Sequence, residues 1–471
     1  MLQNLRFQNF KGFKDSKPFS IKPISIFIGA NSSGKSSILH FLTMLKQTVE
    51  SGSYDTPLIY QGKYIELGEL KDVMHQRKES EKLIFEFRLN LDTLKNAIAR
   101  RGGFDFLGRF KNEIIADNVY LKCVLKKLSS GRQKIQEYSI YSKKNGRYVS
   151  GINIKWKKRE GHKNAKYRYV LDSDFEEIKK EIENENFSEK ISDYFEGNYF
   201  YFDVKDSYPT QINREKEIES EIINDIFLLL QISANEVQRK IKKFHYISGL
   251  RSRPQRYYLY AGELPDDVGK TGENQMNALV VDKINRKNRI IKQLNKWLKE
   301  FGLLESIKVE KIHGISAYKI SIVHTDKEVK LGLPDVGFGV SQILPILVES
   351  LYSTVGSTIL IEQPEIHLHP KVQSLLANFF VELIKDRNKH FVIETHSEHL
   401  LLRLRNLILQ KKVEAEKIGI YYVEKKQKES VIREVKIDKY GEFIDWPDGF
   451  FDTSYQDTLE YFKLRTNGNN S

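Results

Sequence analysis

A glycine-rich stretch of eight residues near the start of the 471-residue chain constrains its fold more than any other feature. It fits the pattern G-x-x-x-x-G-K-[ST], and its members are Gly29, Ala30, Asn31, Ser32, Ser33, Gly34, Lys35 and Ser36. The apolar run from Ile24 to Ile28 before it predicts a buried strand, and the residues from Ser36 to Val49 after it predict a helix. This pattern between a strand and a helix predicts an α/β fold with a phosphate-binding loop.

The chemistry of this loop points to a nucleotide. Glycines allow a tight turn that aims backbone N–H groups at phosphate oxygens, and the N-terminus of the following helix, with Ser37 in its first turn, adds favourable partial charge. Lys35 is expected to contact the β- and γ-phosphates, and the Ser36 hydroxyl is expected to ligate Mg²⁺. The predicted cofactors are therefore ATP and Mg²⁺.

Composition excludes several classes of protein. With 40% hydrophobic and 30% charged residues, the chain has ordinary globular composition. The single cysteine, Cys123, forms no internal disulfide and is expected to be a buried thiol in a reducing compartment. The longest aliphatic runs, such as 226–232, are far shorter than the ~20 residues of a membrane span, and residues 1–11 lack the apolar core of a signal peptide. We expect a cytoplasmic protein without membrane segments.

Three further motifs offer groups that suit a nucleotide site. Residues 359–362 form a buried-strand pattern ending in the carboxylate of Glu362, which suits a Mg²⁺ ligand acting through water. Residues 391–397 repeat the arrangement of a strand followed by polar residues, and His396 could hydrogen-bond a γ-phosphate. Ahead of both, a glycine-flexible turn opens an apolar helix and offers backbone donors to an anion. The candidate contacts in this turn are Gly337, Gly339 and Ser341.

Together these motifs resemble the ABC-type ATPase head of the chromosome-maintenance, Rad50 and RecF proteins. The resemblance is strongest to predicted ATPases related to the overcoming-lysogenization-defect (OLD) proteins, whose PE-x-HLHP signature is matched by residues 364–370. Residues 443–452 also resemble the C-terminal segment of that branch. The resemblance covers residues 1–75 and 240–455, and it implies Walker B, D-loop, H-loop and signature motifs in the second half of the chain.

In such heads the two halves of the nucleotide site lie on different subunits. The resemblance implies that the phosphate loop, Glu362 and His396 act in cis, whereas Ser341 and its glycines close over the γ-phosphate bound by a second copy. It therefore implies a head-to-tail homodimer, or a higher homo-oligomer, with ATP at the interface.

One position departs from the pattern of these heads. Most of them end the acidic strand with Asp and follow it directly with a Glu that polarises the attacking water, and the corresponding residues here are Glu362 and Gln363. A glutamine cannot accept a proton as a carboxylate does. We favour Glu365 as the base. The alternatives are that hydrolysis is slow and the ATP-bound dimer persists, and that Glu365 only satisfies donors at a helix N-terminus.

Several candidates rest on weaker patterns. Gln61, in a Tyr-Gln-Gly-Lys turn, is the candidate for the glutamine that touches Mg²⁺ in ABC heads. His367 and His369 could ligate a metal or have a structural role at the subunit interface. Three arginines could bind phosphate, meet a neighbouring subunit or be solvated: Arg251, Arg253 and Arg256.

The net charge of +13 is local. Residues 121–170 carry 15 basic and 2 acidic side chains, which accounts for the whole surplus. This segment belongs to a strand-rich stretch from Leu83 to Leu171 that predicts an antiparallel meander, and its cations alternate with tyrosines and Trp156. Three interpretations remain open: a contact for nucleic acid, a contact for an acidic protein, and exposed lysine-rich strands that resist aggregation.

The predicted fold is an α/β, ABC-type P-loop ATPase head with a mixed central sheet, an antiparallel β-subdomain and an inserted helical region. We predict an N-terminal ATPase lobe over 1–170, a helical insertion over 171–300 and a C-terminal ATPase lobe over 301–471. The clearest helical pattern of the insertion is 214–244, and 275–301 is a second helical candidate.

The predicted function is an ATP-hydrolysing switch that dimerises on ATP and passes that state to a partner. The sequence carries no HNH or TOPRIM constellation of its own. Resemblance to the ATPases of two-component antiphage systems such as Septu and PARIS implies a sensor or regulator of a separate effector, a nuclease of the HNH or TOPRIM type. The alternatives are a DNA-repair or recombination clamp of the RecF or Rad50 kind and an ATP-locked scaffold with little turnover.

Overall fold

The structure is a computed structural model that describes residues 3–51, 56–89, 118–145, 147–158, 167–174, 221–260, 262–324 and 327–447, with positions 96 and 179. The chain folds into two compact units. The first consists of residues 1–21, 40–244 and 425–431, and the second of residues 22–39, 245–424 and 432–471. Both units draw on distant parts of the chain. The three domains predicted in chain order stay a prediction.

Regular elements make up most of the described residues. The strands are β1 (Gln3–Phe10), β2 (Phe13–Asp15), β3 (Ile24–Ile28), β4 (Leu83–Leu89), β5 (Asn118–Lys127), β6 (Gln133–Lys144), β7 (Arg147–Lys158), β8 (Tyr167–Ser173), β9 (Phe244–Ile247), β10 (Tyr258–Leu259), β11 (Ser306–Lys311), β12 (Ala317–His324), β13 (Lys327–Gly332), β14 (Thr358–Glu362), β15 (His390–Glu394), β16 (Ile418–Lys426), β17 (Glu429–Ile437) and β18 (Phe443–Ile444). The helices are α1 (Lys35–Ser51), α2 (Leu70–Val73), α3 (Glu221–Ile241), α4 (Gln275–Asn285), α5 (Arg289–Glu300), α6 (Phe338–Tyr352), α7 (Pro370–Asp386) and α8 (Glu398–Leu409).

A seven-stranded antiparallel sheet, which we call the meander sheet, lies in the first unit with the order β2-β1-β4-β5-β6-β7-β8. One face is apolar because side chains alternate along each strand. On that face Phe7 stacks on Phe41 of α1, with ring centroids 4.7 Å apart, and Phe85 meets Phe41 edge-on. Cys123 is buried, as expected. The predicted antiparallel β-subdomain is confirmed.

The second seven-stranded sheet, which we call the central sheet, has the order β18-β17-β16-β3-β15-β14-β9. Strands β16, β3, β15 and β14 run parallel, whereas β17 and β18 pair antiparallel, so the sheet is mixed as predicted. Strand β3 is buried at every position, which is typical of a parallel strand covered on both faces. The α/β class with a mixed central sheet is therefore confirmed.

The helical pattern at 275–301 predicts one helix, and this prediction is wrong. The structure has two helices, α4 and α5, separated at Lys287 and Asn288, whose φ angles of 53° and 60° lie in the left-handed region. The buried carboxylate of Asp282 accepts hydrogen bonds from the N–H groups of Ile290 and Ile291, at 2.9 and 3.0 Å. These two donors open helix α5 and would otherwise be unsatisfied, so Asp282 favours a helix start there.

The remaining elements complete the second unit. Helix α6 is buried along nearly its whole length, as its largely apolar sequence predicts. A four-stranded sheet has the order β10-β12-β11, with β13 also pairing with β12, and all its recorded pairs are antiparallel. In the part of the chain that the structure describes, no helix is long and apolar enough to cross a membrane.

Candidate functional site

The glycine-rich loop joins the end of β3 to the start of α1 and needs glycine at two positions. Gly29 has a φ of 145°, and a Cβ atom there would lie 2.1 Å from the carbonyl oxygen of Val423. Gly34 has a φ of 112°, and Ser32 also adopts a positive φ, of 59°. Backbone of this kind is open mainly to glycine, so the motif predicted from the sequence adopts the tight turn that it requires.

The lysine of the loop lies inside the turn. Lys35 is 3% exposed, and its ammonium donates hydrogen bonds to the carbonyl oxygens of Gly29 at 3.1 Å and Ala30 at 2.8 Å. Burial lowers the pKa of Lys35, and the negative charges of Glu394 and Glu365 oppose that shift. The loop therefore holds a cation at its centre, where phosphate oxygens would meet it.

The carboxyl ends of the parallel strands bring acidic residues to the same edge of the sheet as this loop. Glu362 at the end of β14 stands beside Glu394 at the end of β15, and Glu394 in turn stands beside Phe27 of β3. The Ser36 hydroxyl donates a hydrogen bond to Oε1 of Glu394 at 2.9 Å. The sheet register thus explains why residues more than 300 positions apart in sequence meet beside the phosphate loop.

Glu362 accepts hydrogen bonds from strand β9 and from the residues that follow it. The Tyr246 hydroxyl donates to its Oε1 at 2.9 Å, and the Gly249 N–H donates to its Oε2 at 3.3 Å. Burial, followed by the charge of Glu362, raises the pKa of Tyr246 and keeps its hydroxyl protonated as a donor.

Arg251 is buried beside these carboxylates instead of being solvated on the surface. Its side chain is 7% exposed, and Nη2 donates to the carbonyl oxygens of Glu362 at 2.8 Å and Gln363 at 3.3 Å. Burial lowers its pKa to about 10, although the negative charges of Glu365 and Glu362 oppose this shift. Its Nε and Nη1 atoms have no hydrogen-bond partner among the described residues. Arg251 therefore stays charged at neutral pH and offsets part of the negative charge.

Glu365 connects the segment after β14 to the segment after β15. Its Oε1 accepts the backbone N–H of His396 at 2.6 Å, and its Oε2 accepts the Thr395 hydroxyl at 2.7 Å. Burial raises the pKa of Glu365 above its usual range, although these hydrogen bonds and the charge of Arg251 oppose the shift. A carboxylate with a raised pKa suits proton transfer near neutral pH.

His396 lies close enough to Lys35 to respond to its charge. Burial and the positive charge of Lys35 lower the pKa of the imidazole, so His396 is neutral at pH 7. A neutral imidazole offers one donor and one acceptor, as a contact to phosphate or water requires.

Gln363 occupies a strained backbone position next to this group. Its φ is 42°, and its N–H donates to the carbonyl oxygen of Glu394 at 2.8 Å. Strained backbone of this kind persists where the surroundings hold it, and such positions cluster at functional sites.

The glycine turn predicted to act in trans opens α6. Gly337 precedes the first residue of the helix, and Gly337 and Phe338 are exposed. The Ser341 hydroxyl is buried and donates to the carbonyl oxygen of Phe338 at 2.7 Å. A Cβ atom on Gly339 would lie 2.9 Å from the carbonyl oxygen of His367. The turn therefore presents backbone to solvent, whereas Ser341 faces inward. Contacts of these residues with nucleotide stay a prediction.

Gln61 belongs to the first unit and is exposed. Its turn is attached to α1 through Gln47, whose side chain donates to the carbonyl oxygen of Ile59 at 2.7 Å and accepts the N–H of Ile65 at 3.3 Å. Its role as a Mg²⁺ ligand stays a prediction.

The two histidines of the signature, His367 and His369, make different contacts. His369 precedes α7, and its Nδ1 accepts the Lys371 N–H at 3.3 Å, which caps the helix. His367 is exposed and packs edge-on against Phe338, with ring centroids 4.9 Å apart. Among the described residues no group of three or more His, Cys, Asp or Glu side chains could hold a metal ion.

The residues fit a nucleotide with its magnesium ion. The loop offers backbone N–H groups and a cation to phosphate, and the hydroxyl of Ser36, which donates to Glu394, has the type of oxygen that Mg²⁺ prefers as a ligand. Magnesium in phosphate sites takes one or two carboxylates plus the phosphates themselves. An all-protein metal cluster is therefore not needed.

Two site residues were missed by sequence reasoning: Glu394 and Tyr246. The sequence could have identified Glu394, because this residue ends a buried-strand pattern in the same way as Glu362 does. Tyr246 had none, because the pairing of a tyrosine with a glutamate 116 positions away depends on β9 and β14 meeting in the sheet.

Several lysines of the basic segment at 121–170 are paired with acidic side chains, so the segment is less basic than its composition suggests. Four of its lysines pair with carboxylates, three of them within the meander sheet: Lys122 with Glu137 at 2.8 Å, Lys143 with Glu86 at 2.6 Å and Lys155 with Asp172 at 2.7 Å. The fourth, Lys127, pairs with Glu79 ahead of β4 at 2.5 Å. Lys134 lies over the ring of Trp156, with its Nζ 3.6 Å from the ring centroid. A nucleic-acid contact on this segment stays a prediction.

Comparisons with known proteins add to this geometry. The family model described as AAA ATPase domain matches residues 1–401, and a model described as a protein of unknown function, DUF3696, matches residues 413–460. The second match includes the segment 443–452, in which Trp446 stacks on Phe443 with ring centroids 4.8 Å apart. No curated protein matches the chain.

Solved structures with some similarity are head domains of SMC proteins. An Smc head bound to the C-winged helix domain of ScpA is 12% identical, covers 93% of this chain and 98% of its own, and has a TM-score of 0.41. The SMC head domain from Thermotoga maritima is 12% identical, with 93% and 99% covered and a TM-score of 0.38. An Smc head derived from Pyrococcus furiosus, bound to the C-terminal domain of ScpA, is 12% identical, with 92% and 96% covered and a TM-score of 0.38.

The assignment therefore rests on the family match and on the phosphate loop at the edge of the central sheet, which support an ATPase head. Because the match spans residues 1–401 of 471, the chain belongs to the AAA ATPase domain family.

Proposed function

We propose that the chain binds and hydrolyses ATP with Mg²⁺ as an ABC-type switch. The observation that carries this proposal is the meeting of Lys35, Ser36 and three carboxylates at one edge of the central sheet. Lys35 and the N–H groups of the loop bind the phosphates, and the Ser36 hydroxyl, which donates to Glu394, ligates the magnesium ion. Bound Mg²⁺ supplies neutralisation of phosphate charge.

Glu365 is proposed as the general base. It lies next to the backbone of His396, its raised pKa suits proton acceptance, and its charge is felt by Lys35 of the phosphate loop. Gln363 cannot accept a proton from water, because a neutral amide has no ionisable acceptor.

The second half of the site is proposed to come from another copy of the chain. The exposed backbone at Gly337 and Phe338, ahead of the N-terminus of α6, offers an anion-binding surface of the kind that could close over a γ-phosphate. In a head-to-tail homodimer each interface then contains one phosphate loop and one such turn.

A mixing experiment tests both parts of this proposal. Lys35→Ala removes the phosphate cation, and Gly337→Asp places a negative charge where a partner's γ-phosphate would approach. Gly337 has a φ of −54°, and a Cβ atom there meets nothing within 4 Å, so the monomer tolerates the change. Each variant alone should hydrolyse no ATP. A 1:1 mixture forms dimers with one intact site in half of all cases and should recover about a quarter of wild-type phosphate release.

The controls separate the possible failures. Gly337→Ser, which adds a small neutral side chain at the same position, should retain turnover. If the wild-type chain releases no phosphate from ATP, the ATPase proposal is wrong. If the wild type is active but the mixture stays as inactive as its components, the two halves of the site do not come from different copies.

We also propose that the ATP-bound dimer regulates a separate effector, a nuclease of the HNH or TOPRIM type, in antiphage defence. Support comes from the resemblance carried by residues 364–370 and 443–452. Tagged wild-type and Lys35→Ala chains should be isolated from the native host with ATP. The expected result is a nuclease retained by the wild type and lost or reduced with the variant. An equal absence of any nuclease from both preparations would contradict the proposal.

A further inference from the structure

Strand β15 ends in a buried carboxylate that the sequence motifs leave without a role. Glu394 is 5% exposed, and its Oε1 accepts the Ser36 hydroxyl at 2.9 Å. Ser36 is the phosphate-loop residue expected to ligate the metal, so its contact with a carboxylate bears on the metal site. Glu362, which the motif pattern assigns to Mg²⁺, accepts hydrogen bonds from Tyr246 and Gly249.

The order of strands explains which carboxylate reaches Ser36. Strand β15 is the direct neighbour of β3, and Glu394 stands opposite Phe27, two residues before Gly29. Strand β14, with Glu362, lies on the far side of β15. Because neighbouring strands lie about 4.8 Å apart, the end of β14 is about twice as far from the phosphate-loop strand as the end of β15.

Glu362 is already committed to other donors. Its two carboxylate oxygens accept the Tyr246 hydroxyl and the Gly249 N–H, and Arg251 donates to its backbone carbonyl. These contacts attach the segment at 246–251 to the end of β14. Glu362 therefore has a structural role at this edge of the sheet.

We propose that Glu394, and not Glu362, positions Ser36 for the magnesium ion of the nucleotide; this inference rests on the proposed ATP-binding function. A hydroxyl that donates its hydrogen to a carboxylate keeps its lone pairs available to a cation. The carboxylate also fixes the orientation of the hydroxyl, as partners of metal ligands commonly do. Its negative charge beside the loop further favours a divalent cation, and Glu394 is the acidic residue whose charge acts most strongly on Lys35.

Metal affinity tests this inference without any need for turnover. The probe is Mn²⁺, followed by electron paramagnetic resonance, bound to the full chain loaded with ADP. Glu394→Gln should weaken Mn²⁺ binding by about 10- to 100-fold, the usual cost of losing a residue that orients a metal ligand. Glu362→Gln makes the same chemical change one strand away and should weaken Mn²⁺ binding less.

A double-mutant cycle tests whether Glu394 acts through Ser36. Ser36→Ala alone should weaken Mn²⁺ binding, and adding Glu394→Gln to it should cost much less than Glu394→Gln costs in the wild type. Full additivity of the two losses would show that Glu394 does not work through Ser36 and would overturn the inference. An effect of Glu362→Gln equal to or larger than that of Glu394→Gln would overturn it as well.

ADP binding measured without metal keeps the outcomes distinguishable. A wild-type chain that binds no nucleotide would contradict the proposed function itself. If it binds ADP and Mn²⁺ but Glu394→Gln leaves Mn²⁺ affinity unchanged, only the inference about Glu394 fails. Should Glu394→Gln not fold, as judged by thermal unfolding, Glu394→Asp keeps the charge but shortens the side chain. The shortened variant should retain metal-free ADP binding with weakened Mn²⁺ affinity, and unchanged affinity would count against the inference.

Discussion

The buried strands β3, β14 and β15 of the central sheet and the strands of the meander sheet place their charged residues differently. The interior of β3, β14 and β15 is uncharged, and the glutamates of these three strands, Glu362 and Glu394, stand at strand ends. In the meander sheet, charged residues occupy the middle of strands, as Glu86 and Lys122 do, and they pair with partners in the same sheet.

The difference follows from what covers each sheet. A parallel strand buried on both faces has no solvated position for a charge, so carboxylates collect at its end, where a ligand can meet them. An antiparallel sheet with one polar face solvates its charges and can pair them across strands. Charge at a strand end therefore indicates a site, whereas charge within a strand of the meander sheet indicates pairing.

The largest effect on ATP turnover is expected from replacing Glu365, which lies three residues after the strand-end carboxylate Glu362. Glu365→Gln should lower the rate of ATP turnover by about 100-fold or more, the usual contribution of a general base. ATP binding should be retained, because the phosphate loop does not use this side chain. Single-turnover phosphate release is the measurement.

The pH dependence of turnover sharpens this prediction. Because burial raises the pKa of Glu365, the loss of activity on acidification should begin at a higher pH than an exposed glutamate would cause. Glu382→Gln, at a solvent-exposed ion pair with Lys296, is the matched control and should leave turnover unchanged. A Glu365→Gln variant with the parental rate would show that this residue is not the base.

A smaller effect is expected from an ion pair at the edge of the meander sheet. Asp15 accepts two hydrogen bonds from Arg6, at 3.0 and 2.8 Å, and two more from Lys17. Burial would raise the pKa of Asp15, but these bonds hold it well below its usual range. Asp15→Asn should lower the free energy of unfolding by about 1–2 kcal/mol at pH 7.

The sign of the pH dependence follows from the lowered pKa. The stabilisation is present above the unfolded-state pKa of about 3.9 and is lost as the pH falls towards the folded-state value. Urea unfolding at pH 7 and pH 3 should therefore show a smaller difference between wild type and Asp15→Asn at pH 3. An equal or larger difference at pH 3 would contradict the assigned charge pairing.

The smallest effect is expected within the meander sheet itself. Lys122 and Glu137 are both partly exposed, so a double-mutant cycle with Lys122→Met and Glu137→Gln should give a coupling of about 0.2–1 kcal/mol. Urea unfolding measures it. A coupling near zero would show that the pair adds nothing to stability and would contradict pairing as the role of these charges.

Much of the fold could be predicted because its signals are local. The run Ile24 to Ile28, the loop and the start of α1 appear where the pattern places them, since strand, turn and helix depend on neighbouring residues. The break between α4 and α5 was not predicted, because no glycine or proline marks the positions of Lys287 and Asn288. The residue that caps α5, Asp282, belongs to the preceding helix.

The residues of the candidate site also differ in whether the sequence alone could predict them. Residues of the phosphate loop could be named from one continuous motif, and Lys35 and Ser36 lie in it as predicted for such a loop. The partners of the acidic residues could not, because Tyr246 and Arg251 reach Glu362 only through the pairing of distant strands. Sequence patterns thus identify the ligand-facing groups more readily than the groups that orient them.

The enclosed lysine of the phosphate loop has a consequence for how a ligand enters. Its ammonium donates to two carbonyl oxygens of its own loop, so the backbone of the loop fixes the position of the lysine. A loop that is shaped by its own contacts loses little conformational entropy when it binds an anion. A chain built in this way should discriminate among anions by the geometry of its backbone donors more than by attraction to an exposed cation.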